Sequence, residues 1–184
     1  MTELSLNILD IANNSTRAGA KNVIIRVAAD RAKDLIEISV TDDGRGMDAE
    51  LLRRMGDPFA TTRTTRKVGM GVPLFKAASI STGGDFSIVS SPGKGTAVTA
   101  SFGLSHIDRV PLGDVGSTLA TLIGGAPKTD FKFVYSLDGK TYAFDTKEVK
   151  SVLGETDLTD VTTLSYLKDM INENIDNING GYII

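Results

Sequence analysis

The fold turns on residues 4–27, LSLNILDIANNSTRAGAKNVIIRV. Leu4, Ile8, Leu9 and Ile11 recur at helical spacing, yet Asn7, Asp10, Asn14 and Arg17 stand among them. At about 100° per residue these four polar side chains fall within a narrow arc of one helix. The helix is therefore expected to be buried on most sides and to open one polar stripe, either toward solvent or toward a ligand. Past Gly19 the period changes, and Asn22–Ala29 reads as a strand.

A polar turn follows, and then Leu35–Thr41, where Ile36, Ile38 and Val40 alternate with Glu37, Ser39 and Thr41 as in a half-buried strand. This strand runs directly into DDGRGMD, residues 42–48. Ala49–Met55 is expected to be a short helix capped by Asp48, and residues 57–71 form a loop rich in threonine and arginine. Val72–Ser81 predicts a helix with Pro73 in its first turn and Gly83-Gly84 at its end. Asp85–Ser91 and Thr96–Leu104 predict a hairpin across PGKG. The order α-β-β-α-α-β-β implies an α+β fold, a sheet covered by helices on one face.

The 184 residues, 41% hydrophobic and 23% charged, suit one or two small globular domains. No apolar run approaches the ~20 residues that cross a bilayer. The start, MTELSL, has no secretory pattern, so the expected location is cytosolic. Without cysteine there is no disulfide, thiolate nucleophile or Cys-based zinc site, and one histidine excludes a His-rich metal centre. The net charge of −3 gives no general drive toward nucleic acid. Charge is unevenly spread: residues 1–104 carry 13 Lys/Arg against 11 Asp/Glu, and residues 105–184 carry 7 against 12.

That acidic tail is expected to form a second small module with a boundary after residue 104. Leu112, Val115, Leu119, Leu122 and Ile123 follow helical spacing up to Gly124. Phe131, Phe133, Tyr135 and Leu137 alternate, Asp138-Gly139 is a two-residue hairpin turn, and Tyr142 with Phe144 starts the return strand. Lys147–Leu153 and Leu158–Ile178 are expected to be helices. The role expected of this module is regulation or partner docking.

Four motifs of residues 3–103 together resemble the GHKL superfamily of ATP-binding proteins: gyrase, mismatch-repair ATPases, heat-shock chaperones, histidine kinases and anti-sigma-factor kinases. Asp10 and Asn14 have the spacing of its first helical box, and NNSTRAGA is similar to the mismatch-repair form. The resemblance implies that Asn14 binds magnesium and that Asp10 is the catalytic acid, oriented toward an attacking water. Hard oxygen ligands suit magnesium, and a carboxylate one turn away suits a general base. Hydrolytic members carry glutamate where this chain has the shorter Asp10.

In the second motif the resemblance makes Asp42 the acceptor of the adenine amino group. Gly44 and Gly46, with Met47 beside them, would let backbone approach the base. The third motif is Gly69-Met-Gly71 opening a helix, where backbone N–H groups and the helix dipole form a phosphate seat. Ahead of it, PFATTRTTRK resembles the family's lid, with Phe59 as its aromatic and Arg63, Arg66 and Lys67 as phosphate ligands. Gly95-Thr96 resembles the closing box, which places Thr96 near adenine. Implied are a two-layer α/β sandwich of the GHKL (Bergerat) type and the cofactors ATP and Mg2+. The resemblance leaves two activities open: slow ATP hydrolysis or phosphorylation of a protein, or an ATP-dependent binding module without catalysis. Expected partners are ATP and a protein partner or substrate, with a homodimer as a further option, and neither nucleic acid nor membrane.

Because all four motifs precede residue 104, residues 109–184 are expected to be dispensable for nucleotide binding. Ser105-His-Ile-Asp-Arg-Val-Pro-Leu112 is similar to the phosphoacceptor box of histidine kinases, but Ile107 replaces its acid and the segment follows the ATP domain instead of preceding it. His106 is read as a linker residue.

Overall fold

The computed structural model describes residues 2–55, 71–153 and 158–184. Its helices and strands follow as α1 (Leu4–Arg17), β1 (Asn22–Asp30), β2 (Leu35–Asp42), α2 (Ala49–Met55), α3 (Gly71–Ser81), β3 (Phe86–Ser91) and β4 (Gly95–Gly103). The tail adds α4 (Val115–Gly125), β5 (Asp130–Leu137), β6 (Lys140–Asp145), α5 (Thr146–Leu153) and α6 (Val161–Asn179). The strands make one six-stranded sheet in the order β3-β4-β2-β1-β5-β6. All neighbours are antiparallel except β1 and β5.

The two-residue period of the strands decides which face is covered. Ile25, Val27 and Ala29 of β1 lie level with Val40, Ile38 and Ile36 of β2, Val23 with Asp42, and all four with Phe131, Phe133, Tyr135 and Leu137 of β5. All of these are buried, whereas Arg26, Ala28, Glu37 and Thr41 on the other face are exposed. Against the buried face, Leu4, Ile8 and Ile11 of α1, Val72 and Phe75 of α3, Leu119 and Leu122 of α4, and Leu167 and Ile171 of α6 complete one core. The result is the expected two-layer sandwich.

The tail enters that sandwich rather than standing beside it. Residue pairs from Asn22↔Asp130 to Ala29↔Leu137 join β1 to β5 in parallel. Glu3 gives the start of α1 no side-chain cap. Instead the N–H groups of Leu4 and Ser5 donate to the carbonyls of Pro111 and Leu112, at 2.9 and 2.8 Å. Helix-start N–H groups have no partner within the helix, so these tail carbonyls satisfy them. Residue 104 therefore marks a change in charge, not a gap between two cores. Given this shared sheet and shared helix start, the expectation that residues 109–184 are dispensable for nucleotide binding is one for a truncation experiment.

Local rules account for the element ends. Asp48 accepts from the N–H of Leu51 at 2.8 Å, as an N-cap should. Asp114 caps α4 through Ser117 N–H, and Asp160 caps α6 through Thr162 and Thr163 N–H. Asp138 and Gly139 both have positive φ, the requirement of the tight β5–β6 turn. The last segment docks: Ile184 is buried, and its carbonyl accepts from Leu112 N–H at 2.9 Å.

Candidate functional site

Helix α1, the loop after β2 and the start of α3 converge at one end of the sheet. Asp42 is the last residue of β2 and is only 9% exposed. One carboxylate oxygen accepts from Gly44 N–H at 2.9 Å, and the other from the Ser15 hydroxyl at 2.6 Å. A carboxylate offers about four acceptor positions, so this one is oriented and still able to accept from a ligand.

The loop around it is fixed from both sides. Arg45 N–H donates to Ala18 O and Gly93 N–H to Arg45 O, at 3.1 and 2.7 Å. Met47 N–H donates to the Ser90 hydroxyl at 2.9 Å, and that hydroxyl lies 2.9 Å from Thr96 Oγ1. Thr96 and Met47 are thus brought together through Ser90, which the sequence reading did not select.

Two glycines are required by close backbone approach. A β-carbon on Gly46 would lie 1.9 Å from Ser91 O, and one on Gly95 would lie 1.8 Å from Asp42 O. Both residues also have positive φ. Gly44 is less constrained by backbone: its β-carbon would meet the Asp42 carboxylate at 3.0 Å and the Ala18 side chain at 3.1 Å.

The residues expected to face phosphate lie nearer the start of α1 than Ser15. A β-carbon on Gly71, the first residue of α3, would come within 2.7 Å of the Asp10 β-carbon. The start of α3 therefore rests on the turn of α1 that carries Asp10. Asp10 is exposed and Asn14 half-buried. Ser15, which holds Asp42, is five residues beyond Asp10, or about 7.5 Å of helix rise. One helix thus ties the Asp42 end of the site to the α3 end. Asn7 departs from the expected open stripe, because it is buried. Phe59, Arg63, Arg66, Lys67 and Gly69 lie outside the described residues.

A second acidic residue braces the loop without entering the site. Asp43 accepts from the backbone N–H groups of Lys21 and Asn22 and from the Asn22 amide, at 2.7, 2.8 and 2.6 Å. Burial pushes its carboxyl up, but these bonds outweigh that and hold it below the ordinary carboxylate value. The Asn22 amide oxygen in turn accepts from Lys147 of α5, while Asp130 N–H donates to Lys21 O. The α1–β1 turn is thus gripped by the Asp42 loop on one side and by the tail on the other.

His106 sits in a turn after β4, anchored by His106 N–H to Gly103 O, with Asp34 bonding the neighbouring Ser105. That is the opposite end of β2 from Asp42. Seven residue steps at ~3.3 Å separate the ends by roughly 23 Å.

Residues 1–106 match the family model described as histidine kinase-, DNA gyrase B-, and HSP90-like ATPase. The chain is 35% identical over 113 residues to the non-motile and phage-resistance protein of Caulobacter vibrioides, covering 58% of this chain and 13% of that protein. It is 35% identical over 92 residues to sensor protein kinase FleS of Pseudomonas aeruginosa, covering 50% of this chain and 23% of that one. The chain thus spans less than a quarter of the length of either relative. The fold is similar to the N-terminal domain of a DNA repair protein, with TM-score 0.54 and 17% identity over 86% of this chain and 59% of that one. It is also similar to the Aquifex aeolicus MutL ATPase domain, solved with ADP, with TM-score 0.51 and 15% identity over 83% of this chain and 69% of that one. Such coverage reaches beyond residue 106, so part of the tail belongs to the shared fold. Motifs, sheet and family match agree: this chain is a member of the histidine kinase-, DNA gyrase B- and HSP90-like ATPase family.

Proposed function

We propose that the protein binds Mg·ATP in the site between α1, the Asp42 loop and the start of α3, and acts as a regulatory ATPase or protein kinase. The observation that carries this reading is the Asp42 carboxylate, buried, held by Ser15 and Gly44, and retaining acceptor capacity. It is built to receive a donor such as the adenine amino group.

The donor set also suits the metal. The described residues contain no group of three or more His, Cys, Asp or Glu that could cage an ion. Asn14 would be the protein ligand, its amide oxygen a hard donor of the kind magnesium takes beside phosphates. When bound, Mg·ATP supplies a transferable γ-phosphoryl group. The chain's residues orient it: Asp42 sets the adenine, Gly71 brings the α3 N–H groups close, and Asp10 accepts a proton from the attacking water or protein hydroxyl.

Aspartate is a methylene shorter than the glutamate of hydrolytic members, and base catalysis is sensitive to misplacement of about 1 Å. Unassisted turnover is therefore slow and rises with a protein partner or substrate. This same short reach favours a second reading, in which ATP only orders a binding surface. Phosphate release from γ-labelled ATP by the full chain separates the two. Asp10→Asn keeps Mg·ATP binding and lowers turnover by about 10²–10⁴-fold if Asp10 is the base. Unchanged turnover in a folded Asp10→Asn protein leaves the binding module as the better account.

A further inference from the structure

Helices α5 and α6 enclose an open groove of about 540 Å³ far from any nucleotide motif in sequence. Its apolar lining is Val149, Val152 and Leu153 of α5 with Tyr166, Leu167 and Met170 of α6, and Thr162 and Thr163 join it at the start of α6. Leu167 closes the floor from the core, but Val152 is 82% and Tyr166 68% exposed. Exposed apolar side chains that gather round a concavity mark a contact surface more than singly scattered ones do. Their outward reach calls for an occupant with a broad apolar face of its own; a small molecule enclosed in the groove would leave them uncovered.

Charge selects among such occupants. The lysines of these two helices are engaged elsewhere: Lys147 with Asn22, Lys150 with Asp130 at 2.7 Å, and Lys168 near Asp114. Glu148 lines the groove itself. Asp169 and Glu173 are exposed and follow Tyr166 at helical spacing, so they stand along one rim. The groove is apolar inside and acidic at its edge.

We propose that this groove seats an amphipathic helix of a partner protein, with apolar side chains inserted between α5 and α6 and lysine or arginine facing the acidic rim. Helices recognised in this way present anchors at helical spacing to an apolar groove. Opposite charge at the rim steers approach and rejects acidic helices. The proposal does not depend on nucleotide binding, because no residue of the groove belongs to the ATP site.

The test measures anisotropy of a labelled amphipathic peptide, leucine on one face and lysine on both flanks, with the full-length protein. Saturable binding is expected, weakened about tenfold or more by Tyr166→Glu. Val152→Asp, at an equally exposed position, is the second variant should the first fail to fold by circular dichroism. Either acid adds negative charge, so attraction by charge alone would strengthen binding; tighter or equal binding overturns the proposal. Exchanging the lysines for glutamates should abolish binding, and exchanging the leucines for serines should do the same. Equal binding of either control peptide overturns it. Sedimentation of a wild-type dimer that Tyr166→Glu dissolves would assign the groove to a second copy of the chain instead.

Discussion

Residues 1–104 and the tail share one sheet and one core but use their polar side chains differently. In the first part, Asp42, Asp43, Ser15 and Ser90 tie a glycine-rich loop to the helix and hairpin beside it. In the tail, Asp114 and Asp160 cap helices, while other acids remain on the surface beside an apolar groove. The first arrangement holds the Asp42 loop in one conformation; the second completes the core and leaves an apolar groove open. Sharing a fold does not make two regions share a function.

The largest effect should come from dividing them. Removing residues 109–184 strips Phe131, Phe133, Tyr135 and Leu137 from the core, exposes the edge of β1 and uncaps α1. Burial of one large apolar side chain contributes about 1.5–3 kcal/mol, so several together match a typical total stability of 5–15 kcal/mol. The remainder should show no cooperative thermal transition. A truncated chain that melts cooperatively and binds ATP would show that the first part is autonomous after all.

Within the first part, Gly95→Ala tests the close packing of the loop. Its β-carbon would collide with the Asp42 carbonyl at a backbone angle that disfavours alanine. Strain of this kind belongs to the small class of substitutions costing about 4 kcal/mol or more. Denaturant unfolding should show a large loss of stability, with ATP affinity falling as well. Gly139→Ala in the tail hairpin, with no atom within 4 Å of its β-carbon, should lose less despite its positive φ. Equal losses would mean that backbone angle, rather than contact, sets the cost.

A smaller effect concerns acid stability of the tail. Burial pushes the Asp114 carboxyl up, but bonds from Ser117 and Asn172 and the charge of Lys168 hold it below its ordinary value. A depressed folded-state pKa contributes stability that is present above the unfolded value of about 3.9 and lost as pH falls through the folded one. Asp114→Asn keeps a good cap but cannot titrate. Its melting temperature should therefore lie below that of the wild type near neutrality and converge with it below about pH 4. A gap that persists unchanged into acid would assign the difference to geometry instead of charge.

How much could be read from sequence follows the same division. Strand and helix periods, the Asp138-Gly139 turn and the Asp48 cap are short-range signals, and the elements they mark are present. Asp42, Gly46 and Gly95 were picked out by local motifs, and the structure places all three around one loop. Ser15 was missed although it occupies the buried face with Ile8 and Ile11; a hydroxyl there signals a buried partner. The parallel pairing of β1 with β5 had no local trace, since its partners are over 100 residues apart. The caps supplied by Pro111 and Leu112 were invisible for the same reason. The groove required knowing that α5 and α6 line the same hollow.

The central claim is that Asp42 seats the adenine of ATP, and calorimetry of the full-length protein tests it most directly. Wild-type protein should bind Mg·ATP and discriminate against Mg·GTP, whose base offers a carbonyl where adenine offers an amino donor. Loss of a hydrogen bond to a charged group costs roughly 1.5–3 kcal/mol, so Asp42→Ala should weaken ATP by about one to two decades. The variant must remain folded by circular dichroism. Unchanged ATP affinity in folded Asp42→Ala, or equal affinity of the wild type for the two nucleotides, would contradict the assignment.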